Sequence, residues 1–177
     1  MKEERMKSLM LLGMIALAAQ SDEEKAIQAC TSFLKALQNS EHEKAADLLH
    51  PKSLVKMRSR ILNIFEKAPA SMRDRLVKTL EFADWSALEK AAPRDFIVAY
   101  LKNARNLGES ARQVMGAVEG MDAKVIGAVR REDKFYVIFE TTFKLEDESH
   151  VAPLLLVAYL DGDSWKLAFR SETNIGK

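Results

Sequence analysis

Cysteine is almost absent from this chain. The single thiol, Cys30, can form no disulfide within the molecule, so packing and hydrogen bonds alone must hold the fold. No apolar run reaches the roughly 20 residues that span a bilayer. The segment SLMLLGMIALAA at 8–19 falls short of that length. Charge of one sign is also lacking, with 27 basic side chains against 26 acidic. Such a chain has no global basic field, which makes nucleic acid a poor match as a partner. Histidine occurs three times, which leaves little material for a metal or acid–base centre. No internal repeat, low-complexity stretch or linker interrupts the chain, and 20–177 has the length of one domain with a sizeable core.

Two of the histidines fall in NSEHEKAADLLHP at 39–51. Ser40 followed by Glu43 is a capping-box pattern, and Ala45, Ala46, Leu48 and Leu49 form an apolar stripe at helical spacing. Pro51 disfavours helical geometry at His50, so this spacing predicts a short helix over 40–50. His42 would then sit in its first turn and His50 in its last, roughly 12 Å apart along the axis at 1.5 Å per residue. Their side chains lean the same way and do not converge. A shared zinc needs both donors about 2.1 Å from the metal. The segment therefore reads as a short amphipathic helix with solvent-facing histidines.

The N-terminus reads as a targeting segment. A charged start, MKEERMK, precedes the apolar run, and Ala16 and Ala18 supply a small-x-small cleavage pattern. Residues 1–19 are expected to be a signal peptide, and 20–177 the exported domain, periplasmic or extracellular. Glu3 and Glu4 are unusual in such a start; translation from Met6 would remove them.

Helical periodicity comes first along the chain and strand periodicity last. Ser21 and Glu24 form a capping box for a helix reaching about Gln38, with Ile27, Cys30, Phe33, Leu34 and Leu37 on its apolar stripe. Cys30 on that stripe is expected to be buried and inert. Helical patterns follow at 53–67, 71–82, 86–91, 94–106 and 109–119, the penultimate one opened by Pro93 and the last closed by Gly120. The period then changes to two. KVIGAVRR, FYVIFETTFKL, VAPLLLVAYL and WKLAFRS read as four strands joined by the short turns EDK, EDES and DGDS. In the second, Phe135, Val137, Phe139, Thr141, Phe143 and Leu145 share one face, while Tyr136, Ile138, Glu140, Thr142 and Lys144 share the other. The third is apolar on both faces, as a central strand would be. The fold class expected is α+β: N-terminal helices packed on a C-terminal antiparallel meander.

CTSFLKALQNSEHEKAADLLHP at 30–51, followed by a late meander ending YLDGDSWKLAF at 159–169, resembles the cystatin-like cone of the nuclear transport factor 2 and ketosteroid isomerase superfamily. The resemblance covers about 22–51 and 120–171 and includes secreted bacterial members of unknown function. It implies a helix packed into a curved sheet around a cone-shaped pocket, with 53–91 as an extra helical segment. It also implies pairing of two copies through the outer sheet face. Enzymes of the superfamily place a carboxylate base and a pair of oxyanion-holding acidic groups in the cone, and the isomerase branch adds a tyrosine on the first helix. This chain has Phe33 on that helix and no tyrosine.

No catalytic, cofactor-binding or metal-binding residue is carried over. The strand faces carrying Phe135, Phe139, Trp165 and Phe169 should point inward, and their only polar members are Thr141 and Ser171. General acid–base catalysis needs an ionisable group at the substrate, and these faces offer none. The pocket expected is apolar, bordered by Trp85, Tyr100, Phe139, Thr141 and Phe169, and suited to a small apolar ligand or a protein partner. The alternative is an isomerase, dehydratase or cyclase using a helix-borne group such as Asp84, Asp95 or His50. Finally, 52–81 holds eight basic residues against three acidic ones. Its helices could touch an anionic membrane surface or an acidic partner.

Overall fold

Ser21 opens the first helix of the computed structural model, which describes residues 20–145 and 148–168. The expected signal peptide at 1–19 and the residues Phe169, Arg170 and Ser171 lie outside the described residues. Helix α1 spans Asp22–Gln38. Its start is the expected capping box: Glu24 N–H donates to Ser21 Oγ at 3.2 Å, and Ser21 N–H donates to Glu24 Oε2 at 2.8 Å. Ala26, Ala29, Cys30, Phe33, Leu34 and Ala36 are its buried stripe.

The next segment differs from the expectation. Ser40 caps no helix; it sits at φ 57°. Ser40 N–H donates to Leu37 O, and Glu41 N–H donates to Ala36 O. That pair of bonds is a Schellman ending for α1, with Ser40 in the left-handed position that glycine usually takes. Helix α2 begins later, at His42, and ends at Asp47 with no side-chain cap at its start. It stops there because Leu48, Leu49 and His50 turn to pair with the end of the sheet. Leu167 N–H donates to Leu48 O at 2.8 Å, and His50 N–H donates to Leu167 O at 2.7 Å. His50 is accordingly the cap of the next helix, α3 (Pro51–Glu66). Its ring Nδ1 accepts the Lys52 N–H at 3.1 Å, and Pro51 takes the first helical position.

Helices α4 (Ala70–Thr79), α5 (Trp85–Lys90) and α6 (Pro93–Asn103) follow, with Pro93 opening α6 as its position suggests. A short 3-10 turn, Ala104–Leu107, leads to α7 (Glu109–Glu119) through Gly108. Gly108 has φ 151° and ψ 176°, a conformation that only glycine adopts without strain.

The sheet is an antiparallel meander of β1 (Asp122–Arg131), β2 (Lys134–Leu145), β3 (Glu148–Asp161) and β4 (Ser164–Ala168), in that spatial order. The fold is α+β, with helices first and the antiparallel sheet last. Register puts Phe135 opposite Ala158, Val137 opposite Leu156, Phe139 opposite Leu154 and Thr141 opposite Ala152. Phe135, Val137, Phe139 and Thr141 are all buried. α1 crosses this face and meets all four strands. Tyr136, Ile138 and Thr142, on the other face of β2, are half-buried, and Glu140 and Lys144 are exposed.

β3 is an inner strand, between β2 and β4, as its apolar faces suggest. Among the described residues it has neighbours on both sides over Val157–Asp161, and from Glu148 to Leu156 its partner is β2 alone. Val151, in that half, is exposed.

Candidate functional site

A cavity of about 520 Å³ lies between α1, α7 and the β2–β3 pair. Its position follows from how the surrounding helices are built. The inward stripe of α1 ends in Phe33, Leu34 and Leu37, which form one wall. α7 forms a second wall with Gln113, Val114, Ala117 and Val118. These residues recur at helical spacing, yet no residue of α7 with a described side chain is fully buried, and Val114 is 61 % exposed. α7 therefore turns an apolar side toward a space that no other part of the described chain fills. The third wall is the sheet: Thr141 and Phe143 from β2, and Ala152, Leu154 and Leu156 from β3.

Two contacts hold α7 over this space. Gln38 Nε2, at the end of α1, donates to Met121 O at 2.5 Å, just beyond α7. Arg105, in the 3-10 turn, pairs with Glu119 at the end of α7. Both tether the far end of the helix; Gly108 supplies the bend at its near end.

The lining carries no ionisable side chain among the described residues. Thr141 and Gln113 are its polar side chains, and they differ in what they can offer. Thr141 is buried, and its hydroxyl already donates to Ala152 O at 2.7 Å. Its one proton is committed, so it can only accept from a ligand. Gln113 is exposed on α7 and has both a donor and an acceptor.

Of the pocket residues expected from the sequence, Thr141 lines the cavity. Phe139 sits one inward register position away, fully buried, and fills the core. Trp85 is elsewhere, on α5; its Nε1 donates to Glu89 Oε1 at 2.7 Å, and the Arg73 guanidinium lies 5.8 Å from its ring centre. Tyr100 is half-buried on α6, where burial holds its hydroxyl pKa above the ordinary tyrosine range. Neither Trp85 nor Tyr100 lines the cavity, because α5 and α6 do not contribute to its walls. Phe169 lies outside the described residues.

The wall formed by α7 was missed in the sequence. The signal was present: Val114, Ala117 and Val118 form an i, i+3, i+4 apolar set on that helix. The groups weighed for catalysis are also placed elsewhere. Asp84 caps α5, accepting the Ala87 N–H at 2.7 Å. Asp95 lies exposed in the first turn of α6, 3.8 Å from Arg94. His50 caps α3. None of the three lines the cavity.

Cys30 is buried among the α1 stripe, and burial pushes its thiol pKa up to about 12. A thiol in that state is protonated at neutral pH and a poor nucleophile. His42 has a buried Nδ1 with no hydrogen-bond partner. Burial first, and the Lys102 charge second, hold its pKa below the ordinary histidine range. No three His, Cys, Asp or Glu side chains converge as a metal-ligand set among the described residues. Comparison with known proteins finds no matching family, no matching curated protein and no matching solved structure.

Proposed function

We propose that this chain is a binding domain for a small, mostly apolar molecule, held between α1, α7 and the inner face of β2 and β3. One observation carries this reading: the cavity of about 520 Å³ is walled by apolar side chains with Thr141 and Gln113 as its polar ones. Apolar lining with a few polar groups that set orientation is the usual composition of a small-molecule site. A ligand with one hydrogen-bond donor would satisfy the remaining acceptor capacity of Thr141. The absence of an ionisable group from the lining supports binding over the isomerase, dehydratase or cyclase alternative, which requires a proton donor or acceptor at the reacting atom.

The same reading includes membership of the nuclear transport factor 2-like superfamily, with the sheet and α1 as its cone. It also includes export, based on the apolar segment at 8–19 and the small residues after it. A second copy as partner is favoured by the outward sheet face, where Val129 and Val151 are 57 % and 67 % exposed beside Tyr136, Ile138 and Leu155.

Titration with N-phenylnaphthylamine, an apolar dye that brightens on leaving water, tests the cavity. Saturable binding is expected for the native protein and for Asp84→Asn and Asp95→Asn, and is expected to vanish in Ala117→Phe, whose ring would occupy the space. Dye binding unchanged by Ala117→Phe would refute the assignment. A turnover that disappears in Asp84→Asn or Asp95→Asn without loss of fold would replace it with the enzymatic alternative.

A further inference from the structure

A second cavity, of about 620 Å³, opens where the start of α3 meets the β1–β2 turn and the end of β3. Its chemistry is opposite to that of the first. Lys52 and Lys56 project from α3 one helical turn apart, which puts them on one side of the helix. Lys134 enters from the first position of β2, its Nζ 5.0 Å from the ring centre of Tyr159. Three ammonium groups from two separate elements thus face one concave space. Asp133 and Asp161 also line it and offset part of that charge. One positive charge remains among these five groups.

His50 completes the lining. Its Nδ1 accepts the Lys52 N–H at 3.1 Å. In the neutral ring that places the proton on Nε2, which is then a hydrogen-bond donor. The first-turn amides of α3 are otherwise engaged: Ser53 N–H and Leu54 N–H both donate to His50 O. Recognition therefore rests on side chains rather than on the helix end. His50 is anchored from behind by its own N–H to Leu167 O at 2.7 Å.

We propose that this cavity binds a phosphate group, with Lys52, Lys56 and Lys134 as its counter-charges and His50 Nε2–H as a further donor. A phosphomonoester carries close to two negative charges and several acceptor oxygens at neutral pH. It would meet converging donors here, while the two aspartates disfavour larger polyanions. The phosphate can come from a soluble phosphomonoester or from an anionic lipid headgroup. Arg60, a further turn along α3 and exposed, extends the basic side beyond the cavity.

Titration of the isotope-labelled full chain with inorganic phosphate, at constant low ionic strength against chloride, tests the proposal by NMR. Saturable shifts at Lys52 and Leu160 amides are expected. Lys134→Met and Lys56→Met keep the alkyl stems and should each weaken binding about tenfold, the usual loss for one charged hydrogen bond. Lys67→Met, at the far end of α3, should leave it unchanged. Sedimentation with phosphatidylcholine vesicles containing phosphatidic acid then identifies the source. Co-sedimentation that requires Lys56 and Lys134 assigns a lipid headgroup. Phosphate binding without co-sedimentation assigns a soluble phosphomonoester. The proposal is overturned if neither probe binds, or if binding survives both cavity substitutions.

Discussion

Ser40 lies between two helices that could each use it. Ser40 precedes an apolar helical run and has Glu43 three positions on, so its chemistry suits an N-cap. Its backbone is claimed instead by the end of α1, where φ 57° closes the Schellman bonds to Ala36 and Leu37. This assignment has a measurable consequence. Ser40→Ala should be nearly neutral in urea denaturation, whereas loss of a true serine N-cap costs about 1 kcal/mol. Ser40→Gly should stabilise by a few tenths to about 1 kcal/mol, because glycine takes the left-handed conformation without steric cost. His42 gives a second test at this scale. Its pKa is depressed in the fold, so the unfolded chain binds the proton more readily. The contribution is complete above the unfolded value, about 6.5, and is lost as pH falls from there through the folded value. Thermal melts from neutral to mildly acidic pH should show a decline that is shallower in His42→Asn.

Elements were legible where pattern and local chemistry agreed. The Ser21–Glu24 box, Pro93 and the period-two strands each carry their own signal within a few residues, and among the described residues each appears where the sequence places it. The end of α2 was not legible, since it depends on β4, more than a hundred residues later, pairing with Leu48 and His50. The cavity was only half legible. Thr141 follows from strand alternation, but the wall made by α7 depends on how the helix is delivered by Gly108 and tethered by Gln38 and Arg105. Two glycines around α7 separate these roles. Gly108→Ala should destabilise by roughly 1–3 kcal/mol, because its backbone is strained for any other residue even though the added Cβ meets nothing within 4 Å. Gly116→Ala, inside the helix and equally uncrowded, should stabilise by about 1 kcal/mol. Denaturant midpoints of the two variants are expected to move in opposite directions.

At the scale of the whole molecule, the sheet divides two kinds of surface. Its inner face is covered by α1 and, farther along, by the cavity; its outer face keeps Val129, Ile138, Val151 and Leu155 close to solvent. Association of two copies through that outer face should be visible in sedimentation at micromolar concentration and shift to monomer in Ile138→Glu. A monomer at high concentration for the unaltered protein would remove the dimer from the account. The inner-face cavity is the central claim, and native mass spectrometry of the protein purified from its own host tests it most directly. The account predicts an extra mass on the folded species, extractable into organic solvent, that is absent from Ala117→Phe while the thermal midpoint is kept. The same mass bound equally to both proteins would contradict it.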